Sequence, residues 1–208
     1  PLVALSRLGG RPAPLLSAHG TDVGFAFRPG FRPALYRAYM RLGARLAGRP
    51  RVIANSEATA RHARALGFGR IAVVPLGCRV AEAPPAQATA HGLAPGRFVL
   101  FAGRLVRRKG LGWFVREVLP GLPGGLELAV AGTVWDRSEA EALAAPGVRW
   151  LGPLAPEALH GLMAEALCVV VPNVAAGRGH FEGFGLVAAE AAAAGGRVLA
   201  ARIDGFTD

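Results

Sequence analysis

The 208 residues are 52% apolar and 18% charged, which excludes an intrinsically disordered chain and indicates one large or two small globular domains. The formal net charge of +10 favours an anionic partner, which could be nucleic acid, an acidic membrane surface or a phosphorylated ligand. Nucleic acid is the weakest of the three, because aromatic residues make up only 7% of the chain and the arginines form no dense tract. The sequence contains no 18-residue apolar span and no signal-peptide pattern, so a cytoplasmic protein is expected.

The first 78 residues alternate short apolar strands with helices. The predicted elements are, in chain order, strand 15–18, helix 31–47, strand 51–54, helix 57–66 with Ser56 as its N-cap, and strand 71–74. Because the chain opens on Pro1 and ends on Asp208 directly after a strand and a turn, we expect it to be an internal piece of a longer protein.

Helix 31–47 carries two regular faces. One is apolar at helical spacing and is predicted to pack against the core; it consists of Leu35, Tyr39, Leu42 and Leu46. The other is basic and is predicted to face solvent; it consists of Arg37, Arg41, Arg45 and Arg49. Contact between this helix and an anionic membrane surface or an anionic acceptor is the alternative.

Residues 79–96 are rich in alanine and proline and are predicted to form an irregular linker, after which the alternation restarts. The predicted strands are 98–102, 126–131, 148–151, 168–171 and 198–201, and the predicted helices are 111–119, 136–144, 156–166 and 185–194. This pattern predicts a mostly parallel, doubly wound α/β sheet. The chain is therefore predicted to hold two α/β domains facing a cleft, a truncated one at 1–78 and a second at 97–208. Cys78 and Cys168 match no metal-site spacing and are predicted to be buried, reduced thiols.

The single lysine of the chain, Lys109, follows Arg104 by five places, on a loop directly after the strand-like run 98–102. A chain that uses arginine for every other cation and keeps one ammonium indicates a site that needs a compact point charge. In open α/β sheets, ligands bind at the carboxyl ends of the strands. Arg104 and Lys109 are therefore candidate anion-binding residues.

Glu182 and Glu190 stand eight residues apart on either side of Gly183, Phe184 and Gly185. The glycines permit a sharp turn and a close approach to a ligand, and the helix that follows presents its first amides, near Leu186 and Val187, to an anion. Eight helical residues span about 12 Å, so the two carboxylates suit opposite ends of an extended ligand. A sugar joined through a diphosphate to a nucleoside has this layout.

In these motifs the chain resembles the retaining glycosyltransferases of GT-B family 4, which include glycogen synthases, sucrose synthases and bacterial lipid mannosyltransferases. Arg104 and Lys109 match the family's R-x4-K diphosphate clamp, and Glu182 and Glu190 match its E-x7-E motif. The resemblance implies a GT-B fold, two Rossmann-like domains, and transfer of a sugar from a UDP- or GDP-linked donor to a hydroxyl acceptor with retention of anomeric configuration.

The resemblance also implies roles for single residues. Glu182 would contact the donor sugar and Glu190 the ribose, while the amides of Leu186 and Val187 would meet the phosphates. The turn ending at Leu154 would hold the base, and His19, in a His-Gly-Thr-Asp segment, would lie close to the sugar. The residues expected to be catalytic are thus Glu182, His19, Arg104 and Lys109, and those expected to bind the donor are Arg104, Lys109, Leu154, Gly183, Phe184, Gly185, Leu186, Val187 and Glu190.

No Asp-x-Asp pair occurs in the sequence, so neither a metal nor a separate cofactor is expected. Partners would be the nucleotide-sugar donor and a glycan, lipid or small-molecule acceptor, with peripheral contact to the inner face of a bacterial membrane left open. The glycine-rich loop found near the family's N-terminus is missing, so the piece by itself is expected to bind nucleotide without turnover. The alternatives are a GT-B homologue that binds nucleotide sugars without transferring them and a GT-B sugar-nucleotide epimerase.

Overall fold

The structure is a computed structural model and describes residues 15–47, 50–79, 81–82, 85–203 and 206. The chain divides into two compact units. The first comprises Pro1–Leu76, Ala175–Phe184 and Arg202–Asp208, and the second comprises Gly77–Val174 and Gly185–Ala201. The predicted division differs, since it placed 175–184 and 202–208 with the second domain.

The first unit contains a three-stranded parallel sheet in the order β1-β2-β3, formed by Leu15–Ala18, Arg51–Ala54 and Arg70–Val73. Its helices are α1 (Thr21–Gly24), α2 (Phe31–Leu46) and α3 (Glu57–Ala65), and α1 was not predicted. The N-cap prediction is confirmed, because the Ser56 hydroxyl accepts a hydrogen bond from the Thr59 amide at 3.0 Å.

Helix α2 corrects one prediction. Its apolar stripe does not pack against the core of the unit but is exposed, to 60% at Leu35, 44% at Tyr39, 55% at Leu42 and 59% at Leu46. The face that packs inward contains Pro33, Tyr36, Met40 and Ala44. Two faces of this helix carry apolar residues at helical spacing, so periodicity alone could not rank them.

The basic face of α2 is only partly solvated. The Arg37 guanidinium donates to the Ala26 carbonyl and the Arg41 guanidinium to the Ala65 carbonyl, both at 3.4 Å. Arg45 is exposed. Arg49 lies outside the described residues, so the prediction for that position stays open.

In its described residues, the second unit contains a five-stranded parallel sheet and five α-helices. The strands are β4 (Phe98–Ala102), β5 (Glu127–Ala131), β6 (Val148–Gly152), β7 (Cys168–Val171) and β8 (Val198–Ala200). The helices are α4 (Gln87–Ala90), α5 (Leu111–Glu117), α6 (Arg137–Ala140), α7 (Pro156–Glu165) and α8 (Leu186–Ala193). The prediction of a doubly wound parallel α/β sheet is confirmed.

The sheet is covered on both faces, which explains the continuous apolar run of β4. Phe98, Leu100 and Ala102 pack into a core with residues of α4, α7 and α8, whereas Val99 and Phe101 pack into a second core with residues of α5. All five residues of β4 are buried, as expected for a central parallel strand.

The strand order β6-β5-β4-β7-β8 locates a reversal in the winding. From β4 the chain moves outward in one direction through β5 and β6, and then returns to the other side of β4 to form β7 and β8. The direction of winding thus switches between β4 and β7. Such a switch point opens a crevice at the carboxyl ends of the two strands, where open α/β sheets bind ligands.

The segment predicted as an irregular linker contributes a helix to the second unit. It contains α4, and Ala88 and Leu93 are buried in the core. The Glu165 carboxylate accepts the amides of Gln87 and Ala88 at 3.0 and 2.7 Å. An acidic side chain on α7 therefore holds the first turn of α4.

The two cysteines differ, which corrects the prediction that both are buried. Cys168 is buried in β7, and burial raises the pKa of its thiol, whereas Cys78 is exposed. Both are free thiols. Within the described part of the chain, no helix has the length and apolar character needed to span a membrane.

Candidate functional site

The R-x4-K segment forms the loop between β4 and α5. The chain leaves β4 at Gly103, and a 3-10 turn formed by Arg107–Lys109 ends at Gly110. Leu105 is fully buried and anchors the loop in the core. As a result, Arg104 is exposed and Lys109 is half-buried at the carboxyl edge of the sheet, as predicted from the sequence.

The loop after β5 runs beside the R-x4-K loop. The Leu105 amide donates to the Thr133 carbonyl at 2.9 Å, and the Leu105 carbonyl accepts the amides of Trp135 and Asp136 at 3.1 and 3.0 Å. Leu105 also forms an isolated parallel bridge with Val134. These contacts place the Arg104 guanidinium carbon 4.9 Å from the centroid of the Trp135 ring.

The loop after β7 contacts the R-x4-K loop from the other side. The Val174 amide donates to the Arg108 carbonyl at 3.0 Å. Gly110 adopts a left-handed conformation, with φ at +75°, and packs so tightly against the Pro172 carbonyl that a Cβ atom at position 110 would overlap it. The R-x4-K loop and the loop after β7 are therefore in direct contact at the switch point.

Helix α8 begins after the loop that follows β7. Gly185 is its N-cap in a left-handed conformation, with φ at 81°, and no side chain caps the helix. The first amides, those of Leu186 and Val187, are among the groups that have no partner within the helix and point out of its N-terminus. Val187 packs against the core, and Glu190 lies one turn further along and is half-buried.

The predicted base-binding turn follows β6. Gly152 ends the strand with φ at 70°, its carbonyl accepts the Gly132 amide at 2.8 Å, and Leu154 packs against the core. Because β6, β5, β4 and β7 are neighbours in that order, the loops after them form one continuous edge. Along it lie the Leu154 turn, Trp135, the R-x4-K loop and the start of the loop after β7.

His19 lies in the first unit, directly after β1. Its amide donates to both carboxylate oxygens of Asp22 at 3.1 Å, and its carbonyl accepts from the Asn55 side-chain amide at 3.3 Å. The Ser17 hydroxyl is 2.8 Å from His19 Nε2. The His19 backbone is thus hydrogen-bonded to Asp22 and to Asn55, and its exposed imidazole contacts the Ser17 hydroxyl.

Three predicted residues, Glu182, Gly183 and Phe184, also belong to the first unit, in the segment Ala175–Phe184. A Cβ atom on Gly183 would lie 2.6 Å from the His19 carbonyl oxygen, and the Phe181 ring stacks on His62 with centroids 4.1 Å apart. The structure thereby brings Gly183 and the His19 turn together. Glu182, which precedes Gly183 in the chain, is half-buried.

The catalytic and donor-binding roles assigned to these residues stay predictions. Among the described residues, no group of three or more His, Cys, Asp and Glu is arranged to hold a metal ion. The expectation that neither a metal nor a cofactor takes part stays a prediction as well.

Trp135 was not among the residues predicted from the sequence. Its signal was weak, since the sequence shows only a tryptophan four residues after the end of a strand. Its position against Arg104 depends on the pairing of two loops that are separated by about thirty residues in the chain.

The sheet order and the polar loops at its carboxyl edge define a class of protein: a doubly wound α/β protein with an arginine and a lysine side chain on the loop at its switch point. The family model for glycosyl transferases group 1 matches residues 96–208, more than half of the chain. The chain therefore belongs to the glycosyl transferases group 1 family. No curated protein sequence matches it.

Solved structures show the same fold at low sequence identity. Anabaena HepE in complex with UDP and glucose has a TM-score of 0.73 and 22% identity, over 97% of this chain and 56% of HepE. HepE in complex with UDP-glucose has a TM-score of 0.72 and 22% identity, over 98% and 57%. Sucrose-phosphate synthase from Thermosynechococcus elongatus has a TM-score of 0.69 and 24% identity, over 96% and 53%. The chain thus shares the α/β fold of GT-B proteins and spans little more than half of their length.

Proposed function

We propose that the chain is part of a retaining family 4 hexosyltransferase, which moves a sugar from a nucleoside diphosphate donor to a hydroxyl acceptor. The observation that carries the proposal is the position of Arg104 and Lys109 on a loop at the switch point, in contact with the loop that follows β7. Membership in the glycosyl transferases group 1 family supports it.

In this proposal the second unit stabilises the leaving group. The departing nucleoside diphosphate gains negative charge as the glycosidic bond breaks, and the guanidinium of Arg104, the ammonium of Lys109 and the first amides of α8 would neutralise that charge. Groups held in place before the reaction need no reorganisation when the charge develops, so they lower the barrier. Glu190 would accept hydrogen bonds from the ribose hydroxyls, and the turn at Leu154 would hold the base.

The donor is proposed to be UDP-linked. HepE, which shares the fold, was solved in complex with UDP and with UDP-glucose. A GDP-linked donor is the alternative. Isothermal titration of the 208-residue chain with UDP, GDP and ADP decides between them, and binding of ADP alone would contradict both.

The first unit is proposed to act on the sugar and the acceptor. The resemblance to family 4 assigns Glu182 to the donor sugar and His19 to its vicinity. The contact of Gly183 with the His19 turn supports this assignment, because Glu182 precedes Gly183 in the chain and belongs to the same unit as His19. Retention of anomeric configuration is taken from the resemblance, and the acceptor would be a glycan, a lipid or a small molecule with a free hydroxyl.

The decisive substitution is Lys109→Ala. Loss of one charge-assisted hydrogen bond to a phosphate weakens binding by about 1.5–3 kcal/mol, so titration should give an about 10- to 100-fold higher Kd for UDP. Arg197→Ala is the matched control, since Arg197 is exposed at the opposite, amino-terminal edge of the same sheet. Equal Kd values for the two variants would remove Lys109 from the site.

Two other functions are compatible with nucleotide binding, namely a homologue that binds without transfer and a sugar-nucleotide epimerase. Incubation of the full-length protein with UDP- and GDP-sugars distinguishes them. A transferase releases the nucleoside diphosphate when an acceptor is present, an epimerase converts the sugar without release, and a pure binding protein does neither.

We further propose that α2 contacts an anionic membrane surface from the cytoplasm. The support is its exposed apolar stripe, which includes Leu35, Leu42 and Leu46, together with exposed arginines and no acidic residue in its sixteen positions. An apolar stripe flanked by arginines is typical of helices that lie in the membrane interface.

Sedimentation with vesicles of phosphatidylcholine, with or without phosphatidylglycerol, tests the contact. We expect binding only with the anionic lipid, and loss of that binding in Leu42→Glu. Leu199→Glu is the control, because Leu199 is 63% exposed on the second unit. If anionic vesicles bind no protein, or if the stripe instead joins two copies of the chain, the membrane contact is wrong.

A further inference from the structure

We propose that Trp135 is a positioning residue that holds the guanidinium of Arg104 ready for the diphosphate of the donor. The inference rests on the proposed function, since it extends the role given to Arg104. It concerns a residue outside both the R-x4-K and the E-x7-E motif.

The Arg104 side chain is held by an aromatic ring. Its guanidinium carbon lies 4.9 Å from the centroid of the Trp135 ring, within the range of a cation–π contact. Within the described residues, the Arg104 side chain takes part in neither a hydrogen bond nor an ion pair. The indole ring is therefore the contact that limits the conformations of this exposed side chain.

A contact with an aromatic ring leaves the hydrogen-bond donors of a guanidinium available. A carboxylate partner would occupy the N–H donors of a guanidinium and neutralise its charge. A ring contacts the guanidinium through its flat face and leaves the five donors at the edge free for an anion. An arginine held by an aromatic ring is thus both ordered and fully able to bind phosphate.

Trp135 is itself held in place by its backbone. The residue is 65% exposed, so burial does not explain its position. Its backbone is fixed instead, because its own amide and that of Asp136 both donate to the Leu105 carbonyl. Hydrogen bonds from Ser138 and, to a smaller extent, the nearby backbone and charge of Arg107 lower the pKa of the Asp136 carboxylate, so the two loops also lie close together beyond Leu105.

A further hydrogen bond joins the segment that contains Trp135 to the chain just after the R-x4-K loop. Glu139 is 5% exposed, and its carboxylate accepts the Gly112 amide at 2.9 Å. Gly112 lies three residues after Lys109, in the first turn of α5. The segment from Trp135 to Glu139 therefore contacts the loop beside Arg104 and again just beyond Lys109.

The test is calorimetric titration of UDP and of inorganic pyrophosphate into the 208-residue chain and four variants: Trp135→Ala, Trp135→Phe, Arg104→Ala and the double variant Trp135→Ala with Arg104→Ala. For Trp135→Ala we expect an about two- to fivefold higher Kd for both ligands, the size of an exposed cation–π contact. Trp135→Phe should restore most of the affinity. In the Arg104→Ala background, loss of Trp135 should change nothing further.

Trp113→Ala is the control, since Trp113 is 42% exposed on α5 and should leave both Kd values unchanged. If Trp135→Ala weakens UDP but not pyrophosphate, the ring stacks on the base and the positioning role is wrong. An equal loss with and without Arg104 would overturn it too. If Arg104→Ala itself leaves UDP binding unchanged, the proposed function fails, whatever Trp135 does.

Discussion

Substitution of Gly110 by alanine tests the contact between the loops after β4 and β7. Gly110 adopts φ at +75°, a conformation that costs a residue with a Cβ atom about 1–2 kcal/mol. The added Cβ would also overlap the Pro172 carbonyl and lie 3.2 Å from Val174 Cγ1. Since a backbone carbonyl gives way only if the loop moves, overpacking adds about 1–3 kcal/mol. We expect Gly110→Ala to lower the free energy of unfolding by about 2–5 kcal/mol in total.

Gly147→Ala provides the matched control for this measurement. Gly147 has φ at +80°, but no atom lies within 4 Å of a Cβ built there, so it should lose only the conformational part. Urea unfolding of both variants gives the difference, and titration with UDP should show weakened binding for Gly110→Ala alone. Equal destabilisation of the two variants would refute the contact between the loops after β4 and β7.

Three further predictions concern single groups. Ser56→Ala should lower the free energy of unfolding by about 1 kcal/mol in urea titration, since its hydroxyl caps α3; no change would contradict the cap. Thiol titration of the folded chain should label Cys78 alone, because burial hides Cys168 and raises its pKa; labelling of both would show otherwise. Hydrogen bonds from Ser138 lower the pKa of Asp136 below its ordinary 3.8, so its stabilisation is present above that pH and is lost as the pH falls through the lowered pKa. The difference in Tm between the parent and Asp136→Asn should therefore shrink towards pH 3, and a constant difference would count against an ionic role.

The sequence predicted much of the fold because, in the second unit, the local hydrophobic pattern agrees with the secondary structure that forms. The apolar runs at 98–102 and 168–171 lie between loops and become strands with the predicted bounds, as does 51–54 in the first unit. Because parallel strands all end at the same edge of their sheet, the residues that follow such strands belong to that edge whatever the order of the strands. This is why Arg104 and Lys109 were found from the sequence.

The predictions that differ from the structure concern segments that are stabilised by residues distant in the sequence. The linker prediction missed α4, since its first turn is held by Glu165, which lies nearly eighty residues away. The inward face of α2 was assigned to the more apolar stripe, whereas the core of the first unit contacts the face with Tyr36, Met40 and Ala44. Composition identifies apolar faces, but only packing decides which of them is buried.

The sequence by itself determined the class of the fold, the strands of the second unit and the cationic pair at the end of β4, because these depend on local spacing and on the direction of parallel strands. Only the tertiary structure decided the strand order, and with it the switch point between β4 and β7. It also decided the contact of Trp135 with Arg104 and that of Gly183 with the His19 turn. These contacts join residues that are distant in the chain, and their energy depends on distances and orientations that no local pattern encodes.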